Sequence, residues 1–174
     1  MKRLPLTRIL GIDPGSRVTG FGVIDSDGQK STHVAHGCLD VESGTLADRL
    51  RLIFEGVGRV VRLYRPDEMA VELVFMYRNP DSALKLGQAR GVAVVAGALA
   101  DLPVFEFTPA EVKLAIVGLG RADKAQVQHM VKVLLRLDAA PPSDAADALA
   151  VALCHGHTRS APLPCRRMRP KRWA

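Results

Sequence analysis

Residues 7–28 read TRILGIDPGSRVTGFGVIDSDG and carry the pattern that decides the fold. The apolar run at 7–13 ends in Asp13-Pro14-Gly15, and a second run at 19–25 is closed by the turn signal Asp27-Gly28. Two consecutive strands with so short a connection pair antiparallel. The sequence therefore predicts an antiparallel strand pair with a carboxylate, Asp13, at the end of its first strand.

The rest of the chain extends this sheet and covers it with helices. The predicted elements are a third strand at 31–39, a helix at 46–64 that Pro66 stops, a strand at 69–73, a helix at about 81–100, a strand at 104–107, a helix that begins at Pro109 after the N-cap Thr108, a helix at 124–137 and a last helix at 144–157 capped by Ser143. Three antiparallel strands followed by two parallel strands in helical crossovers form a mixed five-stranded sheet flanked by helices. This α/β order predicts a ribonuclease H-like fold.

Charge divides the chain into two parts. All 18 acidic residues lie between Asp13 and Asp147, and residues 1–147 also hold 18 of the 24 basic residues. The net charge of +6 therefore comes from the C-terminal end, from Arg159, Arg166, Arg167, Arg169, Lys171 and Arg172. We expect one domain at 1–158 and a basic, disordered tail at 159–174 that suits a polyanion. A tail that only adds solubility is the alternative.

Composition narrows the class of protein. The 174 residues are 48% hydrophobic and 24% charged, which excludes disordered, collagen-like and fibrous chains. The small apolar run at 92–100 is far shorter than the roughly 20 residues that cross a bilayer, and no signal-peptide pattern precedes it. Three cysteines form neither CxxC pairs nor an even set. We expect a cytoplasmic protein with no membrane partner.

Four carboxylates fall at the ends of predicted elements. Asp13 ends the first strand, Glu72 lies at the end of an apolar strand beside it, and Asp144 and Asp147 share one face of the last helix. Acids in turns and in first helical turns also have a purely structural explanation. Near the start of a helix, an acid stabilises the helix dipole by about 0.3–1 kcal/mol. Glu72 is different, because a carboxylate in an apolar strand requires a partner. If the last helix crosses the strand ends, all four acids converge.

Converging carboxylates require cations. Like charges raise one another's pKa, so four acids in one crevice stay ionised only when a divalent ion neutralises them. Oxygen ligands without histidine or cysteine favour Mg²⁺ or Mn²⁺ over zinc. Two such ions, about 3.5–4 Å apart, clamp the attacking and departing oxygens of a phosphodiester. The acids therefore predict a two-metal nuclease.

Five segments together resemble one enzyme family. They are GIDPGSRVTG at 11–20, ELVFM at 72–76, DSALKLGQARG at 81–91, QVQHMV at 126–131 and DAADALA at 144–150. In this order they closely resemble RuvC, the family of bacterial Holliday junction resolvases, over about residues 7–157. Asp-x-Gly alone would be a weak signal, since actin-like ATPases also use it. Those ATPases need two such lobes, and 174 residues supply one.

The resemblance implies a homodimer that makes paired nicks in a four-way junction during DNA recombination and repair. It implies that Asp13, Glu72, Asp144 and Asp147 are the catalytic, metal-binding acids. It also implies cooperation with the branch-migration proteins RuvA and RuvB.

The resemblance also indicates DNA contacts. Phe75, Tyr77 and Arg78 lie on the loop after the fourth strand, where aromatic rings stack on unstacked bases at about 1–3 kcal/mol per base. The family places a wedge-like aromatic at Phe75, and a core phenylalanine is the alternative. Lys113 and Lys124 are by resemblance the phosphate contacts.

From the residues alone, two other functions remain open. One is a ribonuclease H-like enzyme that cuts RNA/DNA hybrids, and the other is a non-catalytic DNA-binding module.

The histidines add little to the predicted site. His33 and His36 lack ligand-like spacing and are expected in solvent or core. His155, eight residues after Asp147, is expected to face the acids as a supporting group.

Overall fold

The structure is a computed structural model that describes residues 4–73 and 80–159. Along these residues the chain forms β1 (Thr7–Asp13), β2 (Val18–Ser26), β3 (Ser31–Asp40), α1 (Leu46–Tyr64), β4 (Glu68–Glu72), α2 (Pro80–Ala98), β5 (Val104–Phe107), α3 (Pro109–Val117), α4 (Lys124–Leu135) and α5 (Ser143–Thr158). Each predicted element is present, with ends that shift by one or two residues.

The five strands form one mixed sheet in the order β3-β2-β1-β4-β5. Strands β1 and β2 pair antiparallel, with Asp13 opposite Gly20, and β3 continues the antiparallel side. Strand β4 runs parallel to β1 on its other edge, and β5 runs parallel to β4. The prediction of three antiparallel and two parallel strands is confirmed. Because β1 and β4 are parallel, their carboxyl ends lie side by side.

Helices cover both faces of the sheet and enclose two cores. Helices α1 and α2 pack on one face against Leu10, Val23 and Val71. Helices α3 to α5 pack on the other face, around Ile24 and Leu149.

Helix α5 lies directly on the sheet. Its residues 145–156 are all buried, with the exception of Asp147. A Cβ atom at Gly11 would collide with the carbonyl oxygen of Ala148, and one at Gly20 would collide with that of Asp144. These two glycines therefore permit the close approach that brings the amino end of α5 over the end of β1.

The helix caps follow the predicted signals, with one correction. Thr108 caps α3 through a capping box with Glu111, and Pro109 is the first helical residue, as predicted. The prediction that Ser143 caps α5 is wrong. The amide of Ala146 donates to the carbonyl of Pro142 at 2.8 Å, so Pro142 occupies the cap position and Ser143 is already helical.

Within the described residues, no helix combines the length and the apolar character that a membrane crossing needs. Among the described residues, neither Cys38, which is exposed, nor Cys154, which is buried, forms a disulfide.

Candidate active site

Three elements bring the predicted acids to one end of the sheet. Asp13 is the last residue of β1 and Glu72 the last residue of β4, each one position beyond the paired residues Ile12 and Val71. Asp144 occupies the first turn of α5, three residues before Asp147. Because β1 and β4 are parallel and α5 packs closely on Gly11 and Gly20, all four carboxylates lie at the same end of the sheet.

The acids form a cluster of three with a fourth beside it. Carboxylate oxygens of Asp13, Asp144 and Asp147 all lie within 4.8 Å of one another. Glu72 stands outside this tight group, yet its charge acts on Asp13, and that of Asp147 acts on Glu72. The structure thus brings together every acid that the sequence singled out.

The electrostatics of the cluster oppose full ionisation. Burial, followed by the charges of Glu72 and Asp147, raises the pKa of Asp13 from 3.8 to about 8. Burial and the charge of Asp147 raise the pKa of Glu72 from 4.5 to about 7. Burial also raises the pKa of Asp147, against the lowering effect of Lys124. Without a cation the cluster holds protons at neutral pH.

One lysine reaches into the cluster. Nζ of Lys124, at the start of α4, lies 2.8 Å from Oδ2 of Asp147 and 3.8 Å from Oδ1 of Asp144. Burial lowers the pKa of Lys124, but the hydrogen bond and charge of Asp147 outweigh it and the net shift is upward. Lys113 on α3 also lies near, since its charge lowers the pKa of Glu72. The two lysines named in the sequence analysis therefore border the acids.

The donor set fits a hard divalent cation. The cluster offers carboxylate oxygens only, and burial followed by neighbouring negative charge raises the pKa of Asp13, an effect that such a cation opposes. Aspartate and glutamate oxygens are the ligands that Mg²⁺ and Mn²⁺ prefer in proteins.

Sequence reasoning missed one residue beside the acids. Cys38 is paired with Gly20 across β3 and β2, and Gly20 is paired with Asp13, so the three residues form one row across the sheet. Burial raises the pKa of the Cys38 thiol, the backbone of Ala145 opposes this through a hydrogen bond, and the charge of Asp144 adds to it. The strand register was the signal that could have identified this neighbour.

Other predicted residues lie elsewhere. Phe75, Tyr77 and Arg78 fall outside the described residues. The prediction that His155 faces the acids is wrong. Its Nε2 lies 2.6 Å from Oε2 of Glu68, at the opposite end of β4, because the eight residues after Asp147 carry it about 12 Å along α5.

Comparisons with known proteins agree with this geometry. The family described as crossover junction endodeoxyribonuclease RuvC matches residues 9–155. A protein of that name from Shewanella loihica is 56% identical over 150 residues, which cover 86% of this chain and 87% of the relative. One from Shewanella baltica is 57% identical over 150 residues, with the same coverage.

Solved structures show the same fold. The RuvC of Thermus thermophilus in complex with a Holliday junction substrate is 34% identical and superposes with a TM-score of 0.87, covering 93% of this chain and 99% of that one. The yeast mitochondrial Holliday junction resolvase Ydc2 is 12% identical with a TM-score of 0.62 and covers 90% of this chain and 82% of its own, so it supports the fold alone.

Proposed function

The chain belongs to the RuvC family of crossover junction endodeoxyribonucleases, and from that premise we propose that it resolves four-way (Holliday) DNA junctions by paired, symmetric nicks in recombination and repair. Each nick is the hydrolysis of one phosphodiester. The observation that carries this function is the cluster of Asp13, Asp144 and Asp147, whose oxygens lie within 4.8 Å at the end of the sheet.

The residues that bind the metal are part of the proposal. Asp13, Glu72, Asp144 and Asp147 hold Mg²⁺ or Mn²⁺, with two ions in each site. Bound there, the ions activate water and stabilise the charge that develops on the leaving oxygen. The all-oxygen donor set and the raised pKa values of Asp13 and Glu72 support this assignment.

Lys124 and Lys113 act on the DNA backbone in this proposal. Lys124 donates to Asp147 in the DNA-free protein, and 57% of its side chain is exposed. Cations held by the acids would neutralise Asp147 in place of Lys124, and the ammonium of Lys124 would then be available to a phosphate oxygen. Lys113, whose charge already reaches Glu72, contacts the phosphate on the other flank.

Junction sensing is assigned to Phe75, which follows Glu72 by three residues in the sequence. An aromatic ring stacks on a base that is already unstacked at a branch point, whereas it finds none in a continuous duplex. Tyr77 and Arg78 add DNA contacts in this proposal.

Two nicks require two sites, and a two-fold symmetric homodimer of this chain supplies them. The outer surface of α1 and α2 supports this step. It exposes Phe54, Leu84, Val95 and Leu99, and an apolar groove of about 510 Å³ runs between the two helices. Exposed apolar surface of this kind marks a protein interface. Gly97, by contrast, packs on Met69 within its own domain.

The remaining parts of the proposal rest on family membership. The enzyme acts in the cytoplasm with the RuvA and RuvB proteins. Residues 1–158 form the nuclease domain. Arg159, the first residue of the predicted tail at 159–174, pairs with Glu68 of that domain, and the rest of the basic tail adds affinity for any DNA.

A cleavage assay tests the function. The full chain is incubated with a synthetic four-way junction, a linear duplex and an RNA/DNA hybrid, each with and without Mg²⁺. We expect Mg²⁺-dependent, symmetric nicks in the junction alone. Preferential cutting of the hybrid identifies a ribonuclease H-like enzyme, and binding without cleavage identifies a DNA-binding module.

The dimer is tested by light scattering. Wild type should have twice the mass of one chain, and Val95→Glu should be monomeric and lose paired nicking. Leu119→Glu is the matched control, because Leu119 is 63% exposed in the connection between α3 and α4. A wild-type monomer that still makes paired nicks contradicts the proposal.

Two variants distinguish the role of Phe75 in junction recognition from that of the tail in DNA affinity. Phe75→Ala should reduce junction cleavage far more than duplex binding. Deletion of residues 160–174 should weaken junction and duplex binding alike and preserve their ratio, because contacts to phosphates carry no shape information. Loss of junction preference on tail deletion alone would reverse these roles.

A further inference from the structure

Two histidines on the edge strand meet ring to ring. Nε2 of His33 lies 2.8 Å from Nδ1 of His36, and the ring centroids are 4.9 Å apart at an angle of 57°. Both side chains are half-buried on β3, at the edge of the sheet.

This meeting depends on an irregularity in the strand. Residues three apart on a regular strand point to opposite faces, so the spacing of His33 and His36 would separate them. The register between β2 and β3 shifts at Val23 and Ile24, where Val23 pairs with Ala35 and Ile24 with His33. Val34 is therefore an extra residue.

The bulge puts both histidines on one face. Val34 and Ala35 both pack against the core under α1 and α2. His36 pairs with Gly22, and a Cβ at Gly22 would meet Leu149 of α5. Bulges of this kind re-aim side chains, and here the bulge aims two imidazoles at each other on the α5 side of the sheet.

The pair is separate from the acid cluster. His33 pairs with Ile24, four positions along β2 from Gly20, which faces Asp13. That spacing corresponds to about 13 Å. Within the described chain, the electrostatic partner of His33 is His36, with no carboxylate contributing.

We propose that His33 and His36 chelate a borderline transition-metal ion, of the class of Zn²⁺ or Ni²⁺, on the edge strand. Imidazole nitrogens bind such ions at about 2.0–2.1 Å, which places two nitrogens on one ion about 3 Å apart. The observed separation of 2.8 Å is close to this value, and both rings turn so that their lone pairs point at the ion rather than along the hydrogen bond. Water completes the coordination.

The proton balance allows this site. In the hydrogen-bonded pair one facing nitrogen carries the proton, and chelation needs both facing nitrogens free. The donating ring moves that proton to its other nitrogen through solvent, so a neutral pair binds the ion with no net proton release. Burial and then His36 lower the pKa of His33, which keeps its ring neutral.

Two cation sites of different chemistry follow. The acid cluster offers oxygen ligands to hard ions, whereas the histidine pair offers nitrogen ligands to borderline ions. An ion on the pair links the two sides of the bulge and stabilises the edge strand, because it binds the folded state alone.

Calorimetric titration with Ni²⁺ tests the site. The untagged full chain is titrated in excess Mg²⁺, which occupies the acid cluster. We expect one Ni²⁺ per chain in wild type, and at least about a tenfold weaker affinity in His33→Gln and in His36→Gln, because each variant loses the chelate. His129→Gln is the matched control, since this exposed histidine lies on α4, and it should bind as wild type.

The outcomes separate clearly. Equal Ni²⁺ affinity in wild type and in both pair variants overturns the proposal, as does a dependence on His129. If a variant fails to fold, the wild-type NMR spectrum decides. Ni²⁺ should broaden the ring signals of His33 and His36 first, and first broadening of other histidines overturns the site. Junction cleavage in Mg²⁺ is unaffected by either result, so the proposed function is judged independently.

Discussion

Strand β4 begins and ends with a glutamate, and its two ends meet opposite electrostatic environments. At the amino end, Oε2 of Glu68 lies 2.6 Å from Nε2 of His155 and 3.2 Å from Nε of Arg159. At the carboxyl end, Glu72 faces other carboxylates, and burial followed by the charge of Asp147 raises its pKa. Glu68 is paired with a histidine and an arginine of the protein, while Glu72 lies among several carboxylates beside Lys124 and Lys113.

Helix α5 supplies the contrast at both ends. Its first turn brings Asp144 and Asp147 to the carboxyl end, and its last turn brings His155, 1% exposed and stacked on Phe105, to the amino end. Arg159, the first residue of the predicted tail, completes that second group. A carboxylate paired within the fold, such as Glu68, stabilises it, whereas carboxylates that outnumber the ammonium groups beside them make a site for an external cation.

The largest effect is expected when the acids at the carboxyl end of β4 are neutralised. Asp13→Asn, Glu72→Gln and Asp147→Asn should each reduce junction cleavage by at least about a hundredfold and leave junction binding nearly unchanged, because only the chemistry needs the metals. Gel assays in excess Mg²⁺ measure both quantities.

Glu68→Gln is the control at the other end of the strand and should cleave at a normal rate below its melting temperature. Substantial nicking by Asp147→Asn would contradict the shared site. Asp144→Asn should resemble the other acid variants, with more residual activity.

The second prediction removes the charge of Glu68 at the amino end of β4. Glu68→Gln should destabilise the protein by about 2–4 kcal/mol, because the buried His155 and the partly buried Arg159 lose the charge of their partner. Urea unfolding measures this loss. Glu55→Gln is the control, since Glu55 pairs with Arg51 on the surface, and it should cost less than about 1 kcal/mol. Equal losses in the two variants would show that the buried group is not special.

The third prediction concerns pH in the metal-free protein. Asp13 has a pKa of about 8 in the folded state against 3.8 as its ordinary value, so the folded state holds the proton more tightly. Stability should therefore fall as pH rises from about 4 to 8. Asp13→Asn should flatten this slope and exceed wild type by about 1–3 kcal/mol at the upper end. Thermal melts in EDTA across this range test it, and an unchanged slope would contradict the crowding of charge.

The smallest effect sharpens the role of the lysine in the cluster. Lys124→Met should raise the Mn²⁺ affinity of the DNA-free protein about two- to fivefold, because the ammonium on Asp147 no longer competes with the ion. Calorimetry measures this affinity. Lys113→Met removes the same charge without that direct bond and should have less effect. Equal gains would indicate only a general change of potential.

The sequence predicted the sheet, and the placement of Asp13 and Glu72 at strand ends, because both depend on local patterns. Alternating spacing of apolar residues predicted the strands, and helical spacing predicted the helices. Asp13 and Glu72 follow apolar runs, so they lie at strand ends even where the first residue of a strand is misjudged. The cap of α5 was misplaced by one residue, since Ser143 is a good cap by type and only the carbonyl of Pro142, bonded to Ala146, marks the true start.

The amino acid sequence by itself determined the order of the elements, the four acids and the family, because these follow from residue type and spacing along the chain. The tertiary structure decided which side chains meet across the fold. It brings Lys124 into contact with Asp147 and His155 into contact with Glu68. One extra residue in β3 brings His33 into contact with His36. Such meetings depend on register and on how closely a helix seats on the sheet. A shift of one residue in strand register moves a side chain to the other face of the sheet.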